Sequence, residues 1–380
     1  MNSIYLDNAA STPLDQAVFE AMIPYLRDVQ GNPSSVHAHG RTLRAAIEAA
    51  RKEIAGLIGA APAEVFFTSG GTEADNMAIK GAVEGIGVKH LITTRIEHHA
   101  VTHPVESFEK SGIKVSWLPV DATGHPDLKA LDDALREEPN ALVSLMHANN
   151  ELGTLLRIEE VAAICKAHGA LFHSDTVQTM AHVHYDVSRL PVHFLSASAH
   201  KFYGPKGIGF CYIRSGIKIP ALIEGGSQER NMRAGTENVA CIVGMAAALR
   251  RSYASHAANH AHLSALRARM RDGLLASVPG VSFNGPQVAS ASIPTVLNVA
   301  FPGTEAESML LFNLDINGIS ASGGSACTSG SVKGSHVLAG IGCDAVRSAN
   351  SVRFSFGVQN TFEEIDIALQ RIASFMHVTA

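Results

Sequence analysis

Short apolar runs of strand length recur along the first half of the chain, each separated from the next by polar turns or amphipathic stretches. They predict strands over residues 4–6, 64–68, 91–94, 142–146, 170–173, 194–197 and 208–213. Between them the apolar positions fall at helical spacing. Val18, Met22, Tyr25 and Leu26 predict a helix over 16–26, Leu43, Ile47, Ile54 and Leu57 one over 41–58, and a further helix covers 158–167. From 237 to about 278 the pattern is helical throughout, too long for one element, so two helices with a break are expected. The remainder mixes strands at 296–301 and 352–356 with helices at 306–314 and 363–375.

The alternation of strand and helix implies a largely parallel sheet covered on both faces. Composition shifts to Ala, His and Arg near Ser255. The expected organisation is therefore a large domain, 15–255, and a smaller α+β domain made of 1–14 and 256–380. In open α/β sheets ligands sit beyond the C-terminal strand ends. His98, Asn150, Asp175, Gln178 and Lys201 all follow predicted strands closely, which would gather them around one crevice.

Four stretches carry candidate chemistry. Lys201 stands between a predicted strand and the Gly204-Pro205 turn, flanked by His200 and the pair Phe202-Tyr203. A lysine fixed there and desolvated has a lowered pKa and can condense with an aldehyde. The turn Ser69-Gly70-Gly71-Thr72 opens a helix, with Thr72 and Asp75 in capping spacing, and its backbone N–H groups could face an anion. It matches neither the dinucleotide nor the P-loop fingerprint. Arg353 alternates with Val352 and Phe354 on a predicted strand, and a guanidinium on a rigid strand suits a carboxylate ligand. Residues 320–332 are almost all small and should form a mobile loop that exposes Cys327. Cys165, Cys211, Cys241 and Cys343 lie in apolar or helical settings and read as structural.

Bulk properties narrow the class. The 380 residues are 46% hydrophobic and 17% charged, the balance of a globular protein. A net charge of -5 gives no basic surplus for nucleic acid. No apolar run is long enough to span a bilayer, and the N-terminus lacks the basic and apolar regions of a secretory signal. Five cysteines without a CxxC pair fit a reducing, cytoplasmic setting. His256, His260 and His262 have no carboxylate or thiolate beside them and predict a solvated helix face, with no metal site expected.

Taken in order, Gly31-Asn32-Pro33-Ser34-Ser35, Thr68-Ser69-Gly70-Gly71-Thr72-Glu73, Glu97-His98, Asn149-Asn150-Glu151, Ala199-His200-Lys201 and Gly324-Ser325-Ala326-Cys327-Thr328-Ser329 resemble the pyridoxal-phosphate-dependent cysteine desulfurases of the NifS/IscS type. The resemblance runs from Tyr5 to the Arg353 strand. It implies a fold type I transferase whose large domain holds a mostly parallel seven-stranded sheet, and pyridoxal 5'-phosphate as cofactor. It also implies conversion of L-cysteine to L-alanine, with sulfur taken by Cys327 as a persulfide for iron–sulfur or thiolation pathways. Lys201 would hold the cofactor and move the substrate proton. Asp175 would face the ring nitrogen, His98 would stack on the ring and Val177 would cover the other side. Gln178 and Asn150 would bond the ring oxygen or the substrate, and Arg353 with Asn32 would bind the substrate carboxylate. Gly71, Thr72, Ser198 and His200 would hold the phosphate, with Thr236 added from a second copy in a homodimer. A protein that accepts the sulfur is implied as partner.

The chain departs from the resemblance in three places. Ala199 replaces a usual glycine and would bring a methyl near the phosphate. Gly323 stands where serine is common and would loosen the loop. The chain stops soon after His377, without the longer tail that some relatives use to dock a scaffold. A selenocysteine lyase or aminotransferase of the same fold, and a non-catalytic sulfur carrier, are the competing readings.

Overall fold

The structure is a computed structural model and describes residues 3–303, 309–323 and 334–376. Twelve strands are numbered in chain order. They are β1 (Ile4–Tyr5), β2 (Val65–Thr68), β3 (His90–Thr94), β4 (Lys114–Leu118), β5 (Ala141–Ser144) and β6 (Leu171–Asp175), followed by β7 (Phe194–Ser198), β8 (Gly209–Ile213), β9 (Ser282–Asn284), β10 (Val296–Ala300), β11 (Ile319–Ser320) and β12 (Ser351–Ser355).

Seven of them form one sheet in the order β2-β8-β7-β6-β5-β3-β4. Every neighbour pair is parallel except the two that β8 makes with β2 and β7. The mostly parallel sheet is therefore as expected, and β8 is its antiparallel member because the Gly204–Gly207 turn sends the chain straight back from β7. Strands β2, β3, β5, β7 and β8 are buried along their whole length, as strands covered on both faces must be. That burial explains why β2, β5 and β8 read as mainly apolar runs; β3 and β7 also bury Thr93, Thr94, Ser196 and Ser198. Strand β4, at the sheet edge, is half-exposed, and its weak pattern left it out of the sequence reading.

A second sheet, β12-β10-β9, is antiparallel, and β1 pairs with β11 in parallel. Two large apolar clusters correspond to these layers. One draws on residues from Val18 to Tyr253, and the other on Ile4 and Leu6 together with Leu263 to Ile372. The long helical stretch breaks where expected, into Val239–Ala254 and His256–Ser277 with Ser255 between them.

Several element bounds differ from the sequence reading. The helix expected over 16–26 is α-helical over Gln16–Ile23 and then widens into a π turn at Pro24–Asp28, where Pro24 supplies no N–H for the regular ladder. The helix expected at 306–314 occupies Leu310–Ile316, with 304–308 outside the described residues. The His256 and His262 rings are not simply solvated. Each is half-buried and bonds a backbone carbonyl, His182 and Asn360 respectively.

A strained turn lies at Glu229, Arg230 and Asn231, which have φ of 43, 58 and 65° in the left-handed region. Buried Arg51 holds it. Its Nη1 and Nη2 each donate to the Glu229 carboxylate at 2.7 Å, and Phe67 N–H donates to the same carboxylate at 2.8 Å. This fastens the segment leading to Thr236 onto the edge strand β2.

Candidate active site

A cavity of about 480 Å³ opens at the C-terminal ends of the parallel strands. The turns after β2, β3, β5, β6 and β7 all reach it. They supply Gly71 and Thr72, His98, Asn150, Asp175 with Val177 and Gln178, and Ser198 with His200 and Lys201. Arg353 enters from β12. Residues far apart in sequence thus meet at one crevice, as the strand-end argument expected.

Two sequence candidates are not in this cavity. Asn32 is exposed and uses its side-chain oxygen to accept the Ser34 N–H at 2.9 Å, an Asx turn in a loop. Thr236 is exposed in its own chain, beyond the strained turn. Cys327 lies outside the described residues. Of the remaining cysteines, Cys165 and Cys211 are buried and Cys241 and Cys343 half-buried. Burial pushes the Cys165 thiol up to about 12, far from a usable nucleophile at neutral pH.

The cavity side chains are tied down by bonds that the sequence did not reveal. Lys201 Nζ donates to the carbonyls of Ala9 at 2.5 Å and Ala10 at 3.0 Å. Gln178 Nε2 donates to Ala9 O at 3.1 Å. The N-terminal strand-turn therefore forms one wall of the site. Arg353 is buried. Its Nη1 donates to Asn150 O at 3.0 Å and its Nη2 to Asp7 Oδ1 at 2.8 Å, while Nε has no partner among the described residues. Two bonds fix the guanidinium plane, and one further N–H on each terminal nitrogen is not used by them.

Asp175 is buried and its Oδ1 accepts the Val177 N–H at 2.8 Å. Burial, and next the nearby Asp75, push its carboxyl up to about 7. Asp75 does not cap its helix as its spacing suggested. The Gly71–Lys80 helix starts from Gly70 with no side-chain cap, and Glu73 instead takes the Ser69 N–H at 2.8 Å. Asp75 faces inward. Its Oδ1 has no hydrogen-bond partner among the described residues and lies 3.4 Å from His173 Nε2, which is engaged with Ser196 Oγ at 3.0 Å. The signal was available, since Asp75 sits among Ala74, Ala78 and Ile79 on the apolar face.

His98 begins the His99–Lys110 helix, with Nδ1 accepting the Ala100 N–H at 3.1 Å. Burial, then the charge of Lys201, lower its pKa to about 4, so the ring is neutral at pH 7. His200, lowered to about 4 mainly by burial, has Nδ1 3.2 Å from Ser11 Oγ.

The residues present fit a flat phosphorylated aldehyde. A Cβ at Gly71 would come within 2.5 Å of Val177 Cγ2, so the helix start is kept bare, with backbone donors open to the cavity. Thr72 and Ser198 line the cavity beside it, and the buried Asp175 carboxyl, which burial disfavours as an anion, would be compensated by a cationic ring nitrogen. The Ala199 methyl does not crowd this place. It is buried in the core, against Gly204, and does not line the cavity. At Gly323 a Cβ would meet the end of the exposed Leu311 side chain at 2.7 Å, and the loop that follows lies outside the described residues.

A fold with these strand-end residues defines a class of enzyme, and the match agrees. The chain belongs to the aminotransferase class-V family, whose model covers residues 4–368. It is 46% identical over 368 residues to the cysteine desulfurase IscS of Dictyoglomus turgidum, covering 96% of this chain and 92% of that one. Among solved structures it is similar to a NifS-like protein with TM-score 0.91 and 36% identity, covering 99% and 100% of the two chains. It is also similar to a structure described as SspA in complex with cysteine, with TM-score 0.81, 33% identity and coverage of 93% and 98%.

Proposed function

We infer that the chain is a pyridoxal 5'-phosphate-dependent cysteine desulfurase that converts L-cysteine to L-alanine and takes the sulfur onto Cys327 as a persulfide. The observation that carries this reading is the meeting of Lys201, Asp175, His98 and Arg353 in one cavity, in a chain similar over nearly its whole length to cysteine desulfurases.

Lys201 would hold the cofactor aldehyde, and Gly71, Thr72, Ser198 and His200 its phosphate. When bound, the cofactor withdraws electrons from the substrate α-carbon and makes its proton acidic. Asp175 would keep the ring nitrogen protonated, and that cation in turn would favour the carboxylate form of Asp175. Neutral His98 would lie against the ring and Val177 against its other side. Asn150 and Gln178 would bond the ring oxygen or the substrate.

Arg353 would receive the substrate carboxylate on the N–H groups of its terminal nitrogens that Asn150 and Asp7 do not use, its plane already fixed. Asn32 would assist only if its loop turned inward. Lys201 would hold and return the substrate α-proton. The Cys327 thiolate would then take the substrate sulfur: the S–S bond forms as the C–S bond breaks, the electron pair of that bond passes to the substrate carbon, and protonation of the carbon leaves alanine. Thr236 would serve the phosphate of a second copy in a homodimer. A sulfur-acceptor protein in the cytoplasm, feeding iron–sulfur or thiolation chemistry, completes the reading.

We also assign 15–255 as the large domain and 1–14 with 256–380 as the small one. The separate apolar clusters on either side of Ser255 support that division. The test of the function is Lys201→Ala. The purified variant should lose the visible absorbance of lysine-bound cofactor and all alanine production from L-cysteine. Full activity in the variant would remove the cofactor reading.

A further inference from the structure

Residues 6–10 run beside the end of β12 and reach both ends of the proposed substrate site. Ser355 N–H donates to Leu6 O at 2.7 Å and Ala9 N–H donates to Ser355 Oγ at 2.8 Å, so the segment is fastened to the strand that carries Arg353. From this segment the Asp7 carboxylate accepts from Arg353 Nη2 at 2.8 Å. A little further along, the carbonyls of Ala9 and Ala10 accept from Lys201 Nζ. The group that would meet the substrate carboxylate and the group that would hold the cofactor are therefore both referenced to one short stretch, Asp7 to Ala10.

Asp7 stands behind Arg353, which lines the cavity. The Arg353 side chain is 2% exposed and that of Asp7 17%, and among the described residues Asp7 is the carboxylate paired with this guanidinium. A guanidinium taken out of water needs a counter-charge, which Asp7 supplies. The contact is also directional. Asn150 O takes one N–H from Nη1 and Asp7 one from Nη2, so the two acceptors together set the tilt and rotation of the fork. The N–H left on each terminal nitrogen then points in a direction that Asp7 helps to choose. Without Asp7, the Asn150 carbonyl alone would hold Nη1, and the plane could turn about that bond.

We propose that Asp7 is a positioning residue for the amino-acid carboxylate, holding the Arg353 guanidinium so that its unused N–H groups meet that carboxylate at a set place relative to Lys201. The proposal rests on the desulfurase reading, in which an α-amino acid reaches the cofactor with its carboxylate on Arg353. An oriented fork binds a carboxylate without first losing rotational freedom, so removing its support should weaken ligands that carry a carboxylate. Amines without one make no use of the fork and should be indifferent to the change.

The experiment compares wild type with Asp7→Ala, Asp7→Asn, Asp7→Glu and Arg353→Ala, all loaded with cofactor. Two ligands are titrated while the absorbance of the bound cofactor is followed: L-alanine, and ethylamine, which is the same amine without the carboxylate. In Asp7→Ala the half-saturating concentration of L-alanine should rise about tenfold, while that of ethylamine stays within twofold. Asp7→Asn keeps an acceptor oxygen and should bind L-alanine within about threefold of wild type. Asp7→Glu keeps the counter-charge, so it tests the proposal even where Asp7→Ala does not fold. Its carboxylate is displaced by one methylene, and L-alanine binding should weaken severalfold, again with ethylamine unchanged. Wild-type or tighter L-alanine binding in Asp7→Ala or Asp7→Glu, equal losses for both ligands, or no recovery in Asp7→Asn would overturn the proposal and leave the desulfurase reading intact. Equal binding of L-alanine by wild type and Arg353→Ala would instead overturn the role read for Arg353, and the proposal with it.

Discussion

Asp175 is buried at a cost to the fold, and replacing it by asparagine should show both that cost and the role proposed for it. Its carboxyl is buried, and burial with the added field of Asp75 raises its pKa from 3.8 to about 7. In the unfolded chain the same carboxyl titrates near its ordinary value. A group that holds its proton more tightly when folded contributes a penalty that is absent at low pH. The penalty builds as pH rises above the unfolded pKa and levels off above the folded one. Each tenfold change in proton affinity corresponds to about 1.4 kcal/mol, so the full penalty in cofactor-free protein is on the order of 4 kcal/mol at pH 8. At pH 5 it is only about 1–2 kcal/mol. Asparagine carries no charge, and its carbonyl can still accept the Val177 N–H. Cofactor-free Asp175→Asn should therefore be more stable than cofactor-free wild type, by an amount that grows from pH 4 to pH 7 and is constant above. Urea denaturation of both proteins at several pH values measures this. In the loaded enzyme the same change replaces a charge-assisted hydrogen bond by a neutral one. That should slow loss of the substrate α-proton by about 1–3 kcal/mol, or roughly 5- to 150-fold. A variant no more stable than wild type at pH 8, or one whose advantage does not vary with pH, would refute the reasoning.

Other consequences follow from the packing. Gly71→Ala should weaken cofactor binding about tenfold by driving a methyl into Val177, as titration of stripped protein with the cofactor would show; unchanged affinity would mean that the bare helix start is not needed. Glu229→Ala should destabilise the fold by up to about 3–5 kcal/mol, because it removes the buried carboxylate opposite Arg51 and leaves only the exposed Glu48 to balance that charge. A loss below about 1 kcal/mol in urea denaturation would show that Arg51 finds water instead.

Strand positions were legible in the sequence because β2, β5 and β8 are buried on both faces and read as mainly apolar runs, while equally buried β3 and β7 show apolar stretches broken by Thr93, Thr94, Ser196 and Ser198. Half-exposed β4 gave no such contrast with its surroundings and was missed, whereas the helix Leu128–Glu137 was missed although Leu128, Leu131 and Leu135 fall at helical spacing among charged residues behind an Asp127 cap. Lysine and carboxylate positions at strand ends were legible for the same topological reason. What holds them was not. The bonds from Lys201 to Ala9 and Ala10, and from Arg353 to Asp7, join residues about 190 and 346 positions apart through backbone and side-chain atoms that no local pattern marks. Asp75 was misread because capping spacing was weighed before burial, although its neighbours are apolar. Asn32 was assigned from motif alone, and its side chain is spent on its own loop.

The central claim is that this cavity serves a sulfur transfer in which an enzyme thiol is the acceptor. Cys327→Ser tests it most directly. Wild type and variant, both loaded with cofactor, should be mixed with L-cysteine while absorbance and alanine are followed side by side. Lys201, Asp175 and Arg353 are untouched in the variant, so the substrate-induced spectral change should persist. A serine hydroxyl ionises far less readily than a thiol and is a poor nucleophile toward sulfur, so alanine formation should fall to background. Sustained conversion of L-cysteine to alanine by the variant would contradict the account.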